Sequence, residues 1–514
     1  MKKIDSQSSN NPMRLLAQSS VIVFIGIVLS KILTYLYRVI IARELGPEIY
    51  GLFSLALVVS SFFVMAASLG LPDGALRYLS FYRGKNQLKK SSYLFRSAFG
   101  VLLISSIIAA ALLYFTAEII STSLFHNQGL TSFLKVFGIF LPFSIIGGFF
   151  LSSLLAFGHI GWNALINNFL QNFIKVLVLI GLLFFGLQQS AVIASYVAGI
   201  FVICLAAFFA VRHLTPTLLH KSGLKIAAKR AVLNEVFAYS WPIVFLAALY
   251  TVFNWTDSAV IGYFMTASDV GVYNAAFTLI SLFGIAPELF RQFFFPYIVR
   301  EYSRKNNLLI RQMSQQVGKW IYVVNLPLFL FMAAFPGAVI NILFGPEYLT
   351  ATDILRILAV GGLLASFNTL LTNLLSMQGK SRIILINTIG ISILDLILNI
   401  ILVPHYGLYG AAGSTTFSLG LLGLIMLFQV RNSTGIVPFR RKMWSVTLAA
   451  AIPAIGLLMI KNLFAPSLPV LALAGITFVA IYFVFIFAFS SLDPYYKDIL
   501  SYALDKLKHL FRKK

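Results

Sequence analysis

Nine ionisable side chains lie inside long apolar runs: Lys31, Arg38, Lys135, Lys175, Asp257, Glu288, Arg291, Arg356 and Asp395. Each costs about 2.5–3.5 kcal/mol at the centre of a membrane helix on insertion scales. Nine such groups cannot all face lipid, so most must face a wet cavity or a partner. The first half of the chain holds four cations in these runs, Lys31, Arg38, Lys135 and Lys175, and no acid. Lys31 and Arg38 are seven residues apart, so they share one helix face about 10 Å apart along the axis. Cations without a local acid call for a mobile anion. Arg suits such a ligand by bidentate hydrogen bonding and Lys as a point charge. There are competing readings. Arg38 and Lys135 lie near span ends, where long side chains snorkel to the interface. Lys31 and Lys175 are nearer mid-span, where an acid of the other half could neutralise them.

The second half carries the acids. Glu288 and Arg291 are spaced i, i+3 and are expected to pair on one helix, as are Asp353 and Arg356. Asp257 has no basic residue within a helical turn. Asp395 is followed four residues later, on the same face, by Asn399. A carboxylate with amide and hydroxyl oxygens, Thr415 or Thr416 among them, can hold Na⁺, and a carboxylate alone can carry a proton. The competing reading is an Asp buried against a Lys of the first half.

The elements that position these groups are membrane helices. Of 514 residues, 59% are hydrophobic and only 11% are charged, with a mean hydropathy of +0.89. A soluble protein carries about 25% charged residues, so most of this chain cannot face water. A span takes roughly 20 apolar residues. Runs of that kind fall near 16–42, 50–71, 94–115, 131–157, 165–186, 189–211, 237–265, 271–299, 318–344, 352–377, 383–404, 407–430, 443–460 and 469–490. They predict an all-α polytopic membrane protein with about fourteen transmembrane helices.

The formal charge of +23 is a topology signal. Of the 39 Lys and Arg residues, 31 lie on alternate segments between the spans, and only Arg43 and Lys461 lie on the other set. The basic set is expected to be cytoplasmic, which puts both termini there. No nucleic-acid reader motif accompanies the charge, so no nucleic-acid partner is expected. Membrane lipids are, because Lys and Arg beside an anionic leaflet gain about 1 kcal/mol each. The polar start, 1–11, precedes an apolar run too long for a signal peptide, so the first span is expected to be retained. At the far end Ile499, Leu500, Ala503, Leu504, Leu507 and Leu510 recur at helical spacing among five basic residues. They predict an amphipathic helix on the inner surface, with a loose basic tail as the alternative. Cys204 is the lone cysteine, which excludes an intrachain disulfide.

The two halves repeat at an offset near 220. Gly51 stands against Gly271, Phe53 against Tyr273, and Leu165-Ile166-Asn167 against Leu385-Ile386-Asn387. Lys135 and Gly158 are spaced like Arg356 and Gly379. Six spans separate equivalent positions, so the repeats are parallel, with substrate expected between two rocking lobes. The expected organisation is a first lobe at 1–212, a basic cytoplasmic linker at 213–236 and a second lobe at 237–430. Two further spans fill 431–490, and the basic tail is 491–514.

Two motifs carry a family likeness. Ala42-Arg43-Glu44-Leu45-Gly46-Pro47-Glu48-Ile49-Tyr50-Gly51-Leu52-Phe53 resembles the signature of oligosaccharide flippases. So does Leu343-Phe344-Gly345-Pro346-Glu347-Tyr348, followed by Leu355-Arg356-Ile357-Leu358. The chain therefore resembles the polysaccharide transport branch of the multidrug/oligosaccharidyl-lipid/polysaccharide superfamily. The resemblance implies a MATE-like fold and movement of a lipid-linked oligosaccharide from the cytoplasmic to the outer leaflet of the plasma membrane. Its polyprenyl (pyro)phosphate would be the anion met by Lys31, Arg38, Lys135 and Lys175. The related lipid II flippases have a cation site built from acids of the seventh and eleventh spans. Asp257 and Asp395 fall on those spans, with Asn399 beside them. A polysaccharide polymerase or glycosyltransferase machinery is the implied partner.

No nucleotide-binding loop, metal-ligand spacing or catalytic triad pattern stands out, so an enzyme and a resident cofactor are not expected. Na⁺ or H⁺ is the expected coupling ion. The alternatives are a multidrug-type exporter, which would prefer acids in the first lobe, and a lipid II flippase-like relative with another lipid.

Overall fold

The computed structural model describes residues 12–220, 223–438, 443–460 and 468–490. Every long regular element among them is a helix, as expected where apolar backbone has no water to bond. The helices are α1 (Pro12–Ser68), α2 (Leu71–Gly84), α3 (Leu88–Ile119), α4 (Gly129–Ala156), α5 (Ile160–Ala164), α6 (Gln171–Phe184), α7 (Gln189–Leu214), α8 (Ile226–Phe264) and α9 (Ala267–Ile280). They continue as α10 (Ile285–Ser303), α11 (Asn307–Ala334), α12 (Pro336–Leu343), α13 (Ala351–Ala365), α14 (Asn368–Met377), α15 (Ser381–Tyr406), α16 (Leu408–Thr434), α17 (Met443–Ile460) and α18 (Leu468–Ser490). The expected basic tail at 491–514 and the polar start at 1–11 lie outside the described residues.

Eleven segments of the described residues are long and apolar enough to cross a membrane, against about fourteen expected spans. Two features account for the difference. The first segment, Leu29–Ser68, is broken at Gly46, where φ is 78° and ψ 175°. It therefore holds two expected spans. Pro47 forces the break: it has no N–H to donate, and it pushes the residue before it out of the helical region. Glycine alone takes the resulting left-handed φ without strain. Gly345 before Pro346 repeats the device, with φ 109°. The last two expected spans are present as α17 and α18, whose apolar windows, Val446–Gly456 and Gly475–Ile486, are shorter. α8 also starts at Ile226, inside the segment expected to be a linker.

The chain divides into two compact units, residues 1–274 with 396–408 and residues 275–395 with 409–514. In the first, α4 packs on α3, α1 and α7, α6 packs on α7, and α8 lies along α1 and α2. Small residues permit the closest approaches: a Cβ on Gly147 would meet the Cys204 backbone at 3.3 Å. In the second unit α10 packs on α11 and α14, while α17 and α18 pack on each other and on α11. Val323, Leu326, Val446, Ala449, Ala450, Tyr482 and Ile486 form the core there. Tyr482 donates its hydroxyl hydrogen bond to the Val323 carbonyl at 2.9 Å. The two extra helices are thus anchored through α11. Large apolar side chains such as Phe115, Phe184 and Phe185 are more than three-quarters exposed, as lipid-facing residues must be.

Candidate functional site

The in-span cations do not share one environment. Lys175 on α6 lays its aliphatic stem across Gly199 of α7, where a Cβ would sit 2.5 Å from the lysine Cγ. Its ammonium lies 4.7 Å from the centre of the Tyr196 ring, a cation–π distance. Arg38 of α1 is close enough to act on Lys175 electrostatically, charge against like charge. Around them the Tyr37 hydroxyl shares a 3.0 Å hydrogen bond with Ser195 Oγ. Asn172 Nδ2, one turn before Lys175, donates to Ser30 Oγ at 3.2 Å and ties α6 to α1. Phe53 and Phe137 pack edge-on and tilted against Tyr196 at 5.6 and 4.5 Å. Arg38 and Lys175 thus lie within electrostatic range of each other. Lys31, next to Ser30, is exposed. Lys135 on α4 lies 5.9 Å from the Tyr114 ring of α3.

The acid site is built differently. Asp257 on α8 is buried and accepts two hydrogen bonds, one on each carboxylate oxygen. The Tyr273 hydroxyl donates to Oδ2 at 2.6 Å, and Asn399 Nδ2 donates to Oδ1 at 2.9 Å. Tyr273 and Asn399 are fully buried. Beside them Asn274 Nδ2 donates to Ser258 Oγ at 3.0 Å, fixing α9 to α8 one position further on. Asp395, one turn before Asn399 on α15, is buried. Two neutral donors orient the Asp257 carboxylate within the apolar interior. That is the chemistry needed to bind and release a small cation or a proton. Thr415 is buried, and its hydroxyl donates to the Ala411 carbonyl at 3.0 Å. That of Thr416 donates to the Ile357 carbonyl at 3.0 Å.

Tyr273 was not singled out for this site from the sequence, although it was visible in the repeat opposite Phe53. Carried through the other positions, the same offset of 220 sets Tyr37 against Asp257 and Lys175 against Asp395. Tyr37 and Phe53 make an edge-on aromatic contact at 5.8 Å, where the second repeat has the Asp257–Tyr273 hydrogen bond. At this offset the matched positions are therefore cationic and aromatic in the first repeat and anionic and hydrogen-bonded in the second. The two other ionisable pairs are local, as expected. Arg291 makes a forked bond to Glu288 at 2.6 and 2.9 Å, and Arg356 bonds Asp353 at 2.5 Å. No cluster of three His, Cys, Asp or Glu suited to a metal occurs among the described residues.

Comparison with known proteins places this geometry in context. The model of a family described as "Polysaccharide biosynthesis protein" matches residues 16–301, and the MatE model matches residues 242–401. The chain is 26% identical over 489 residues to the uncharacterized membrane protein MJ1068 of Methanocaldococcus jannaschii, covering 91% of this chain and 94% of that one. It is 26% identical over 418 residues to the probable low-salt glycan biosynthesis flippase Agl15 of Haloferax volcanii, covering 79% and 81%. Among solved structures, the lipid II flippase MurJ in an inward closed conformation matches with a TM-score of 0.71 at 17% identity, over 93% of this chain and 100% of that one. An inward-facing multidrug resistance MATE family transporter matches with a TM-score of 0.66 at 16% identity, over 80% and 98%. The fold is MATE-like, in keeping with the likeness in sequence.

Proposed function

Since the chain belongs to the polysaccharide biosynthesis protein family, we propose that it is a flippase for a lipid-linked glycan. It moves a polyprenyl-(pyro)phosphate-linked oligosaccharide from the cytoplasmic to the outer leaflet of the plasma membrane by alternating access, with both termini cytoplasmic. The observation that carries this reading is Lys175, a cation inside the membrane against the Tyr196 ring, with Tyr37, Ser195 and Asn172 nearby and the like charge of Arg38 within electrostatic range. A shared anion relieves their repulsion, and a phosphate offers several charged oxygens to a guanidinium and an ammonium at once. Lys31 and Lys135 extend the positive field along the path. Asp257, with Asn399 and Tyr273, is the coupling site for Na⁺ or H⁺, and Asp395 on the same helix as Asn399 belongs to it. Support also comes from Agl15, whose name is "Probable low-salt glycan biosynthesis flippase".

A multidrug-type exporter is the second reading, and the cations of the first repeat argue against it, because such a site would repel cationic drugs. A lipid II flippase-like relative would share the mechanism and differ in the sugar. Polymerase or glycosyltransferase machinery would supply and consume the substrate. The test is the distribution of lipid-linked oligosaccharide in cells lacking the chain. Accumulation on the cytoplasmic leaflet is expected. Normal flipping with a shortened surface polymer would point to a polymerase instead and overturn the reading.

A further inference from the structure

At the ends of the spans, a cavity of about 690 Å³ opens between α2, the start of α3 and α8. Arg77, Tyr78, Tyr82, Lys85, Lys90 and Glu235 line it. Three cations face one acid, and that acid is engaged: the Tyr82 hydroxyl donates to Glu235 Oε2 at 2.7 Å. Burial and this bond to a carboxylate raise the Tyr82 pKa, so the phenol stays a donor. The cations are braced by rings. The Arg77 guanidinium lies 4.1 Å from the Tyr239 ring centre, Lys85 Nζ 4.3 Å from Phe81, and Lys90 Nζ 5.5 Å from Tyr82. A cation–π contact holds a charged group in place without neutralising it. The lining therefore carries a surplus of two positive charges, each cation resting near an aromatic ring.

We propose that this cavity binds pyrophosphate, either free or as the headgroup of a lipid pyrophosphate waiting on the basic side of the membrane. The surplus matches a multiply charged diphosphate better than the single charge of an ordinary anionic phospholipid. Arg77 supplies a planar fork and the two lysines point charges, the combination that grips adjacent phosphates. The volume exceeds what a diphosphate fills and leaves room for an attached sugar, whose C–H faces pack on Tyr78 and Phe81. The lipid-linked form rests on the flippase reading; the diphosphate chemistry does not.

The test uses the full chain in phosphatidylcholine nanodiscs, with Gln87→Cys as a reporter in the cavity wall; the native Cys204 is buried. Alkylation of the reporter by a soluble maleimide is timed with farnesyl pyrophosphate, with inorganic pyrophosphate, or with phosphatidylglycerol at matched mole fraction. A pyrophosphate at ten times its Kd is expected to slow labelling about tenfold. The added changes Arg77→Ala and Lys90→Ala should abolish that protection. Protection by both pyrophosphates, or by the farnesyl compound alone, supports the proposal, and the difference tells the free from the lipid-borne source. No protection by either, or equal protection by phosphatidylglycerol, overturns it. Should Gln87→Cys fold poorly, a pyrophosphate-induced rise in the melting temperature of the native chain, lost in the Arg77→Ala, Lys90→Ala variant, reads the same site. No arm measures flipping, so failure of the flippase reading would appear separately.

Discussion

Gly51 and Gly271, equivalent positions of the two repeats, face each other where α1 meets α9. A Cβ on Gly51 would lie 1.7 Å from the Ala267 carbonyl oxygen, and one on Gly271 would lie 2.0 Å from that of Pro47. Both obstacles are backbone, so neither can swing aside. Gly51→Ala or Gly271→Ala is expected to destabilise the fold by about 1–3 kcal/mol, the usual cost of overpacking. Thermal melting in detergent checks this, with Gly100→Ala as the control, since nothing lies within 4 Å of a Cβ there. A Gly51→Ala melt equal to the control's would mean that the two helices part readily.

Asp257→Asn and Asp395→Asn keep shape and remove charge. If these residues serve the coupling ion, transport should lose its dependence on the Na⁺ or proton gradient while substrate binding persists. A ligand can drive a cycle only by binding its states unequally. Gradient-dependent flipping at the native rate in the double variant would sink the assignment. If the residues instead neutralise a lysine, the yield of folded protein should fall, because a stranded buried charge costs about 3–5 kcal/mol.

Tyr273→Phe removes the hydroxyl that donates to Asp257 and leaves the ring. A hydrogen bond to a charged group is worth about 1.5–3 kcal/mol, and the bare carboxylate left behind should hold a proton or cation more tightly by roughly tenfold or more. An ion titration of transport reads this. Phe53→Tyr, the reciprocal change in the first repeat, should leave the ion dependence unaltered.

Lys175→Ala is expected to reduce flipping more than protein level, and Arg38→Ala to do the same, because the two act on one anion. Their double variant should be little worse than either single, the mark of residues working as a unit. Lys31→Ala and Lys135→Ala should be milder, since Lys31 is exposed and Lys135 lies by Tyr114. Additive losses from Arg38→Ala and Lys175→Ala would argue for two separate anion contacts.

Orientation is open to direct labelling. A cysteine at Gln128 should react with an impermeant maleimide only from outside, and one at Asn432 only from the cytoplasm. Inside labelling of Gln128→Cys would reverse the topology.

The parts legible in the sequence were those fixed by short-range rules. The apolar runs marked the helices, the gap between the runs at 16–42 and 50–71 marked the break at Gly46, and i, i+3 spacing marked the Glu288–Arg291 and Asp353–Arg356 pairs. Contacts between helices were less visible. Asn399 reaches Asp257 across 142 residues, and no local pattern encodes that. Tyr273 looked like one more aromatic of the repeat, because a hydroxyl changes the role of a ring without changing its hydrophobic periodicity. Lys175 gave no sign that it would lie over Gly199 and under the field of Arg38. The count of spans differed because the two helices that meet at the Gly46 break form one segment, and because the apolar windows of α17 and α18 are short.

The lysine stem that crosses Gly199 makes position 199 a control on the charge rather than a spacer. A single methyl there would push the stem off α7 and move the ammonium away from Tyr196 without altering any ionisable group. Such a change would look conservative in any comparison of sequences, yet act as a loss of the cation. Its effect should vanish in a background that already carries Lys175→Ala. The order in which the two positions vary is therefore constrained: the lysine must shorten before the glycine can grow.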